Sequence, residues 1–251
     1  MTVITDVTPV RSGCGPARLL DMVPGRSKQV FKTWFDAQSE AFRAGTETVA
    51  LEGFPGFKTA ACEALPAATA VMDPFHVVAL AGDALDQTRQ RVQRETTGHR
   101  GRRLDPLYRI RRSLHTGASF LTDRQSRTLT DILARDEHVE VDVTWAVYKK
   151  IVAAYRCPKR AAGKQLLQQV ITCLDSGVPA TLIEIKRLGR TLHHRATDVL
   201  AYCSNGPSEA INGRLEHLRG TALSFRNLTN NITHALYDTG GFRPHLHPQL
   251  R

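Results

Sequence analysis

The chain has 251 residues, of which 41% are hydrophobic, enough to bury the core of one or two globular units. No uncharged apolar run reaches the roughly 18 residues that a membrane span needs, and the start MTVITDVTPVRSG lacks a secretory layout. We therefore expect a cytoplasmic protein without a membrane partner. The net charge of +10 favours a polyanion such as nucleic acid, although a basic surface that only aids solubility is the alternative.

The first third of the chain alternates between strand and helix patterns, which predicts an α/β sheet. A β-branched run predicts a strand over Thr2–Val7, and Ser27 is placed to cap a helix that runs through Phe35. The same theme then repeats, with a strand at Thr46–Leu51, a helix at Phe57–Leu65 and a strand at Ala68–Met72.

Helical spacing of apolar residues begins at His76, and strand signals are sparse from there to about Leu200. Within this helical region, residues 89–112, the arginine segment, carry nine arginines against two acids. Glycines interrupt its central part, which suggests a loop that follows a phosphate backbone; solvated charge is the competing interpretation. Few aromatic residues interleave, so contact with duplex DNA fits better than base stacking on a single strand. The arginines are Arg89, Arg91, Arg94, Arg100, Arg102, Arg103, Arg109, Arg111 and Arg112.

Two acidic positions follow the predicted strands. Glu52 lies at the carboxyl end of a strand, where open α/β sheets place ligand-handling residues, although a surface acid beside Gly53 is the simpler interpretation. Asp73 precedes a helix that begins near His76, and capping explains it better than a metal site, because local spacing implies no third ligand.

The five cysteines are odd in number and scattered, which fits neither a disulfide framework nor a zinc site. Near the C-terminus, Asn205 and Gly206 suit a turn, after which Pro207 begins an amphipathic helix. Glu209 lies in the first turn of that helix, where a carboxylate interacts favourably with the helix end without any catalytic role.

The order of these patterns resembles the DDE-type transposases of insertion sequences, specifically the ISL-three branch. The resemblance covers nearly the whole chain and is carried by GPARLLDMVPGRS at 15–27, LEGFPGF and LPAATAVMDPFHVV within 51–78, SNGPSEAINGR at 204–214 and SFRNLTN at 224–230. It implies an RNase H-like α/β domain in which two aspartates and a glutamate hold two divalent metal ions, Mg²⁺ or Mn²⁺. Such ions activate the attacking hydroxyl and stabilise the departing oxygen during phosphodiester cleavage and strand transfer.

By motif, Glu209 matches the glutamate of that triad, and Glu52 stands where the family has an aspartate. The extra methylene moves the carboxylate by roughly 1.5 Å, where about 1 Å of misplacement can cost a hundredfold in rate. The strand that bears the family's first aspartate would precede the strand near Met1. Asp6 does not replace it, because its surroundings match the second strand of the family.

The sequence therefore predicts an incomplete RNase H-like domain that lacks its central first strand, so that the sheet is split or rearranged. We expect its first part at 1–85, a basic helical insertion at 86–200 and the C-terminal catalytic helix region at 201–251. The functional hypothesis is an N-terminally truncated transposase with impaired catalysis, in which Glu52 and Glu209 bind metal and the arginine segment binds double-stranded DNA. The alternative is a non-catalytic DNA-binding protein that competes with intact transposase or joins its oligomer, and a product too unstable to fold is a third possibility.

Overall fold

The computed structural model describes residues 1–15 and 17–205, with the backbone alone for residues 10, 11, 204 and 205. The described chain divides into two compact units, Met1–Val71 and Met72–Ser204. Strands lie at β1 (Thr2–Asp6), β2 (Arg18–Val23), β3 (Thr48–Leu51) and β4 (Thr69–Met72). Helices lie at α1 (Thr8–Arg11), α2 (Lys28–Asp36), α3 (Glu40–Ala44), α4 (Pro55–Ala64), α5 (Pro74–Thr97), α6 (Pro106–Ile110), α7 (Asp123–Leu133), α8 (Val139–Arg156), α9 (Arg160–Asp175), α10 (Ile183–His194) and α11 (Ala196–Asn205), with 3-10 turns at Ala118–Phe120 and Asp136–His138.

The strands of the first unit form two separate pairs. β1 and β2 are antiparallel, with Thr2 opposite Val23 and a bulge between Ile4 and Thr5. β3 pairs with β4, and the amide of Thr69 donates to the carbonyl of Glu47 at 2.8 Å. Because this bond joins the N-terminal ends of the two strands, β3 and β4 are parallel, and α4 connects them. The strands predicted at Thr2–Val7, Thr46–Leu51 and Ala68–Met72 are confirmed within two residues.

The two strand pairs share one hydrophobic core. Ile4 of β1 and Leu51 of β3 are both buried against an aromatic cluster from α2 and α4, in which the rings of Phe31 and Phe57 lie 5.0 Å apart. The predicted cap of α2 is confirmed, since the Ser27 hydroxyl accepts from the amide of Val30 at 3.2 Å. Burial of these large aromatic side chains is the main favourable contribution to folding of this unit.

An open cleft of about 710 Å³ in the first unit is lined by residues of β1 and β3. Its walls include Thr5–Thr8 at the end of β1 and Thr46–Thr48 at the start of β3. Within residues 1–15 and 17–205 no strand bridges the two pairs. The expectation of a split sheet therefore agrees with the described strands.

The second unit is helical, as predicted for the middle of the chain. Helices α5, α8, α9 and α10 pack in a ring, each against the next, around Val77, Ile151, Leu167, Ile171 and Leu192. α5 and α8 are antiparallel, because Arg91 contacts Glu140 near the start of α8, whereas Gly82 lies beside Tyr148, farther along that helix. A second cluster joins α5 to α6, α7 and α8 around Leu85, Leu107, Leu129 and Val141.

The boundary between the compact units precedes α5. Residues 71 and 72 separate them, whereas the sequence patterns placed the boundary after residue 85. Residue 85 lies inside α5, which continues unbroken to Thr97 because both of its halves pack on α8. No described helix combines the length and apolar character that crossing a bilayer requires.

Candidate nucleic-acid interface and carboxylates

The nine arginines of the arginine segment fall into two groups by exposure. Arg89 is buried, and Arg91 and Arg111 are half-buried. The other six are exposed, and none of them has an ion pair within the described part of the chain. They are Arg94, Arg100, Arg102, Arg103, Arg109 and Arg112.

Three of the exposed arginines lie in one loop, residues 98–105, which we call the arginine loop. α5 ends at Gly98 with φ of 74°, the left-handed conformation that glycine adopts at helix ends. Gly101 has φ of 116°, and a Cβ there would collide with the side chains of Gln93 and Tyr108. The Asp105 carboxylate accepts from the amide of Arg102 at 2.5 Å. The loop is thus held by its backbone, and its guanidinium groups are left in solvent.

Arg91 serves a different purpose. Its guanidinium contacts Glu184 of α10 at 2.9 Å and Glu140 of α8 at 2.6 Å. Thr88 adds a hydrogen bond to Glu184 at 3.4 Å. Burial would raise the pKa of the Glu184 carboxyl, but hydrogen bonds from Arg91 outweigh it and the pKa is lowered. Arg91 therefore ties three helices together.

Arg89 is also held inside the protein. It donates to Asp86 at 3.3 Å and to the side-chain oxygen of Gln93 at 3.3 Å. Asp86 in turn lies 3.2 Å from Nε2 of His115, and hydrogen bonding to His115 lowers the pKa of Asp86. Counting arginines could not distinguish Arg89 and Arg91 from the exposed arginines. For Arg89 the sequence does contain a signal, because it lies at helical spacing from the buried Leu85 and Val92.

Tyr108 is the aromatic residue of the arginine segment, and its ring forms a cation–π contact with Arg111. The guanidinium carbon of Arg111 lies 3.9 Å from the ring centroid. One face of the ring is thus occupied. The preference for duplex contact over base stacking stays a prediction.

Glu52 follows β3 directly, as predicted. Its side chain is 51% exposed and its carboxylate accepts from Arg26 at 2.9 Å. The Asp6 carboxylate accepts from the amide of Thr8 at 2.9 Å and also pairs with Arg18. Although partial burial raises its pKa, these hydrogen bonds outweigh burial and the pKa of Asp6 is lowered. Both carboxylates have cationic partners.

Asp73 is the N-cap of α5, as predicted, with its carboxylate accepting from the amide of Phe75 at 3.0 Å. Glu209 and the predicted helix after Pro207 lie outside the described residues. Across residues 1–15 and 17–205, no three His, Cys, Asp or Glu side chains converge as metal ligands. The described residues do not by themselves fit a pair of divalent ions, because Glu52 is the one predicted ligand among them and it faces Arg26.

The structure thus defines a basic, mixed α/β protein with a split sheet in one unit and exposed arginines on a helical bundle in the other. Comparison with known families narrows this class. The DDE-type transposase family of the ISL3 (ISL-three) branch matches residues 1–235. The chain belongs to this family, which generally uses divalent metal ions.

Curated relatives carry the same description. The transposase for insertion sequence element IS1557 of Mycobacterium tuberculosis, strain CDC 1551 / Oshkosh, is 27% identical over 263 residues. The IS1557 transposase of strain ATCC 25618 / H37Rv matches equally. These alignments cover 93% of this chain and 58% of each relative. The chain therefore spans less than two thirds of the length of these relatives. No solved structure matches.

Proposed function

We propose that this chain binds double-stranded DNA through the exposed arginines of its helical unit, as part of the DNA transposition chemistry of its family. The observation that carries the proposal is the arginine loop, in which Arg100, Arg102 and Arg103 are exposed and lack acidic partners among the described residues. Guanidinium groups form forked hydrogen bonds with phosphate oxygens. Contacts of this kind hold a duplex without reading its sequence.

The loop is suited to this purpose because its backbone is fixed before DNA arrives. The positive φ of Gly101 and the bond between Asp105 and the amide of Arg102 limit the conformations of the loop. Preorganisation lowers the ordering cost of binding. Arg89 and Arg91 are excluded from this interface in the proposal, because their guanidinium groups are committed to side chains of the bundle.

For the first unit we propose an incomplete RNase H-like core. The parallel pair β3–β4, the antiparallel pair β1–β2 and the cleft between them support this assignment. Glu52 follows β3 at the position where the family resemblance places an acidic metal ligand, and Glu209 is the second proposed ligand. Divalent Mg²⁺ or Mn²⁺ bound there would supply activation of the attacking oxygen.

We further propose that this chain alone cleaves DNA poorly. Glu52 is longer than the aspartate of the family, and Arg26 competes for its carboxylate at 2.9 Å. Those two features also favour a second candidate function, in which the chain binds DNA without cutting it and competes with intact transposase or joins its oligomer.

DNA binding is tested by measuring duplex affinity over a range of salt concentrations. Each phosphate contact adds about 0.9 to the slope of log affinity against log salt. We expect the triple variant Arg100→Gln, Arg102→Gln, Arg103→Gln to lower this slope by about 2 to 3 relative to the wild type. Affinity that does not change with salt in the wild type would refute the phosphate-contact proposal.

Catalysis is tested separately, by nicking of supercoiled plasmid with Mg²⁺ or Mn²⁺. We expect little turnover. Robust nicking that Glu209→Gln abolishes would overturn the impaired-catalysis proposal while leaving DNA binding intact. If Glu52→Asp restores nicking, the length of the Glu52 side chain limits catalysis. If Arg26→Gln restores nicking, competition from the Arg26 cation limits it.

A further inference from the structure

A second group of cations extends from the second half of α8 to the start of α9. Between Asp142 and Asp175 the sequence has six lysines and arginines and no acid. All six are exposed, and Lys149 lies 4.2 Å over the ring of Trp145. We call this group the α8–α9 corner: Lys149, Lys150, Arg156, Lys159, Arg160 and Lys164.

The two helices of the corner pack closely. α9 approaches α8 so closely at Gly163 that a Cβ there would collide with the carbonyl oxygen of Ala154 and lie 3.3 Å from Cβ of Cys157. This contact fixes the start of α9 against the end of α8. The backbone that carries Lys159 and Arg160 therefore lies between two helices that pack closely against each other.

The placement of charge at the corner is unfavourable for the isolated protein. Lys159 is the N-cap of α9 and Arg160 follows it, with no side-chain cap and no acid in the first turn. The N-terminus of a helix carries partial positive charge and normally has acidic neighbours. In the described chain, Lys150, Lys159 and Arg160 have no ion pair that would offset this repulsion. An external anion would relieve it.

The corner is distinct from the arginine loop. α5 and α8 are antiparallel, since Arg91 contacts Glu140 at 2.6 Å and Tyr148 lies beside Gly82. The arginine loop follows the end of α5, near the start of α8, whereas the corner occupies the second half of α8 and the start of α9. At 1.5 Å per residue, Lys150 lies about 17 Å and Arg156 about 26 Å along α8 from its first residue.

We propose that the α8–α9 corner is a second contact surface for the phosphate backbone of duplex DNA, separate from the arginine loop. The inference deepens the proposed function and rests on it for the identity of the polyanion. Exposed lysines and arginines around a helix N-terminus can contact successive phosphates without selecting a sequence. A molecule with both surfaces contacts DNA at two places on its helical unit.

The test compares the salt dependence of binding to one duplex of random sequence for four proteins. The corner variant is Lys150→Gln, Lys159→Gln, Arg160→Gln, and the loop variant replaces Arg100, Arg102 and Arg103 by Gln. The control variant, Arg18→Gln, Lys28→Gln, Lys32→Gln, removes the same total charge from cations that already face Asp6 or Glu63. The wild type is the fourth.

The corner variant should lower the salt slope by up to about 0.9 for each lost phosphate contact, and its melting temperature should not fall. The control variant should keep the wild-type slope. An unchanged slope in the corner variant beside a reduced slope in the loop variant overturns this inference alone. A reduced slope in the corner variant beside an unchanged slope in the loop variant supports the corner and overturns the proposed contact at the arginine loop. If the slope falls equally in the corner and control variants, net charge explains both losses and the inference is overturned. Wild-type binding without salt dependence overturns both proposals.

Discussion

The two ends of the arginine segment have the same residue type but different surroundings. At one end, Arg91 lies between helices and satisfies the carboxylates of Glu140 and Glu184. At the other end, Arg102 and Arg103 lie in a glycine-containing loop, and their guanidinium groups form no ion pair with a described residue. A guanidinium inside the bundle stabilises the fold, whereas one on the loop is available to a ligand.

Replacing Arg91 by Ala should have the largest effect on stability. The change leaves Glu184, whose side chain is 10% exposed, without its main partner. Removing one member of a buried ion pair costs about 3 to 5 kcal/mol, and the partial exposure of Arg91 places the expected loss near the lower end, about 3 kcal/mol. Urea unfolding followed by circular dichroism measures it.

The matched control is Arg103→Ala, which removes the same side chain from the exposed loop. We expect its free energy of unfolding to stay within about 0.5 kcal/mol of the wild type. Similar losses for the two variants would show that the contrast between the ends of the segment is wrong. The double variant Arg91→Met, Glu184→Leu should recover part of the loss if the unpaired carboxylate is its cause.

The second effect concerns the shape of the arginine loop. Gly101→Ala places a Cβ at a φ of 116° against the side chains of Gln93 and Tyr108. Strain at such a position costs on the order of 1 to 3 kcal/mol. We expect a loss of about 1 to 2 kcal/mol in unfolding free energy together with weaker duplex binding. Gly177→Ala is the control, because Gly177 also has positive φ but no atom near its Cβ position.

If Gly101→Ala reduces stability and leaves binding unchanged, the preorganised loop backbone is irrelevant to DNA contact. Equal stability losses at Gly101 and Gly177 would attribute the effect to backbone conformation alone, without a contribution from the collision.

A smaller effect follows from the lowered pKa of Glu184. Because its pKa in the folded protein lies below the ordinary value of 4.5, the ion pair with Arg91 contributes stability above that pH. The contribution is lost as the pH falls through the folded pKa. The stability difference between the wild type and Glu184→Gln should therefore narrow from about pH 6 to about pH 3. Unfolding measured at both pH values checks this, and a difference that stays constant contradicts it.

Several elements could be predicted from local sequence because local interactions determine them. The cap of α2 at Ser27, the cap of α5 at Asp73 and the helical spacing from Val77 onward depend on neighbours within a few residues. Three of the four described strands, β1, β3 and β4, were predicted from runs of β-branched and apolar residues, whereas β2 was not predicted. The family resemblance predicted a divided sheet. The predicted division at residue 85 stays a prediction; the compact units divide at residues 71 and 72, and no local signal shows that α5 packs along α8 on both sides of residue 85.

Site prediction from sequence met a different limit. Counting arginines located the basic segment, but long-range partners decide which of them are available. The partners of Arg91 lie 49 and 93 residues away, at Glu140 and Glu184. The same holds for Glu52, whose contact with Arg26 spans 26 residues. The charge imbalance at the α8–α9 corner, in contrast, is visible in the sequence as a long interval without acids.

The smallest stability effect is expected for Arg100→Lys, Arg102→Lys, Arg103→Lys. These side chains are exposed and lack ion pairs in the described structure, so the free energy of unfolding should change by less than about 0.5 kcal/mol. Lysine keeps the charge but not the planar fork of arginine. If the loop contacts phosphates mainly through charge, the salt slope should stay at the wild-type value while affinity falls only slightly.

The lysine variant thereby separates two kinds of DNA contact at this loop. Phosphate contact depends on the number of charges, which the variant conserves, whereas bidentate contact with guanine depends on the geometry of the guanidinium. A large affinity loss at constant slope, confined to particular duplex sequences, would show that the loop reads bases. A slight loss of affinity that is the same for all duplex sequences would show that the exposed arginines contact the DNA backbone. Arg91 differs from them, because its bonds to Glu140 and Glu184 require the full guanidinium inside the bundle.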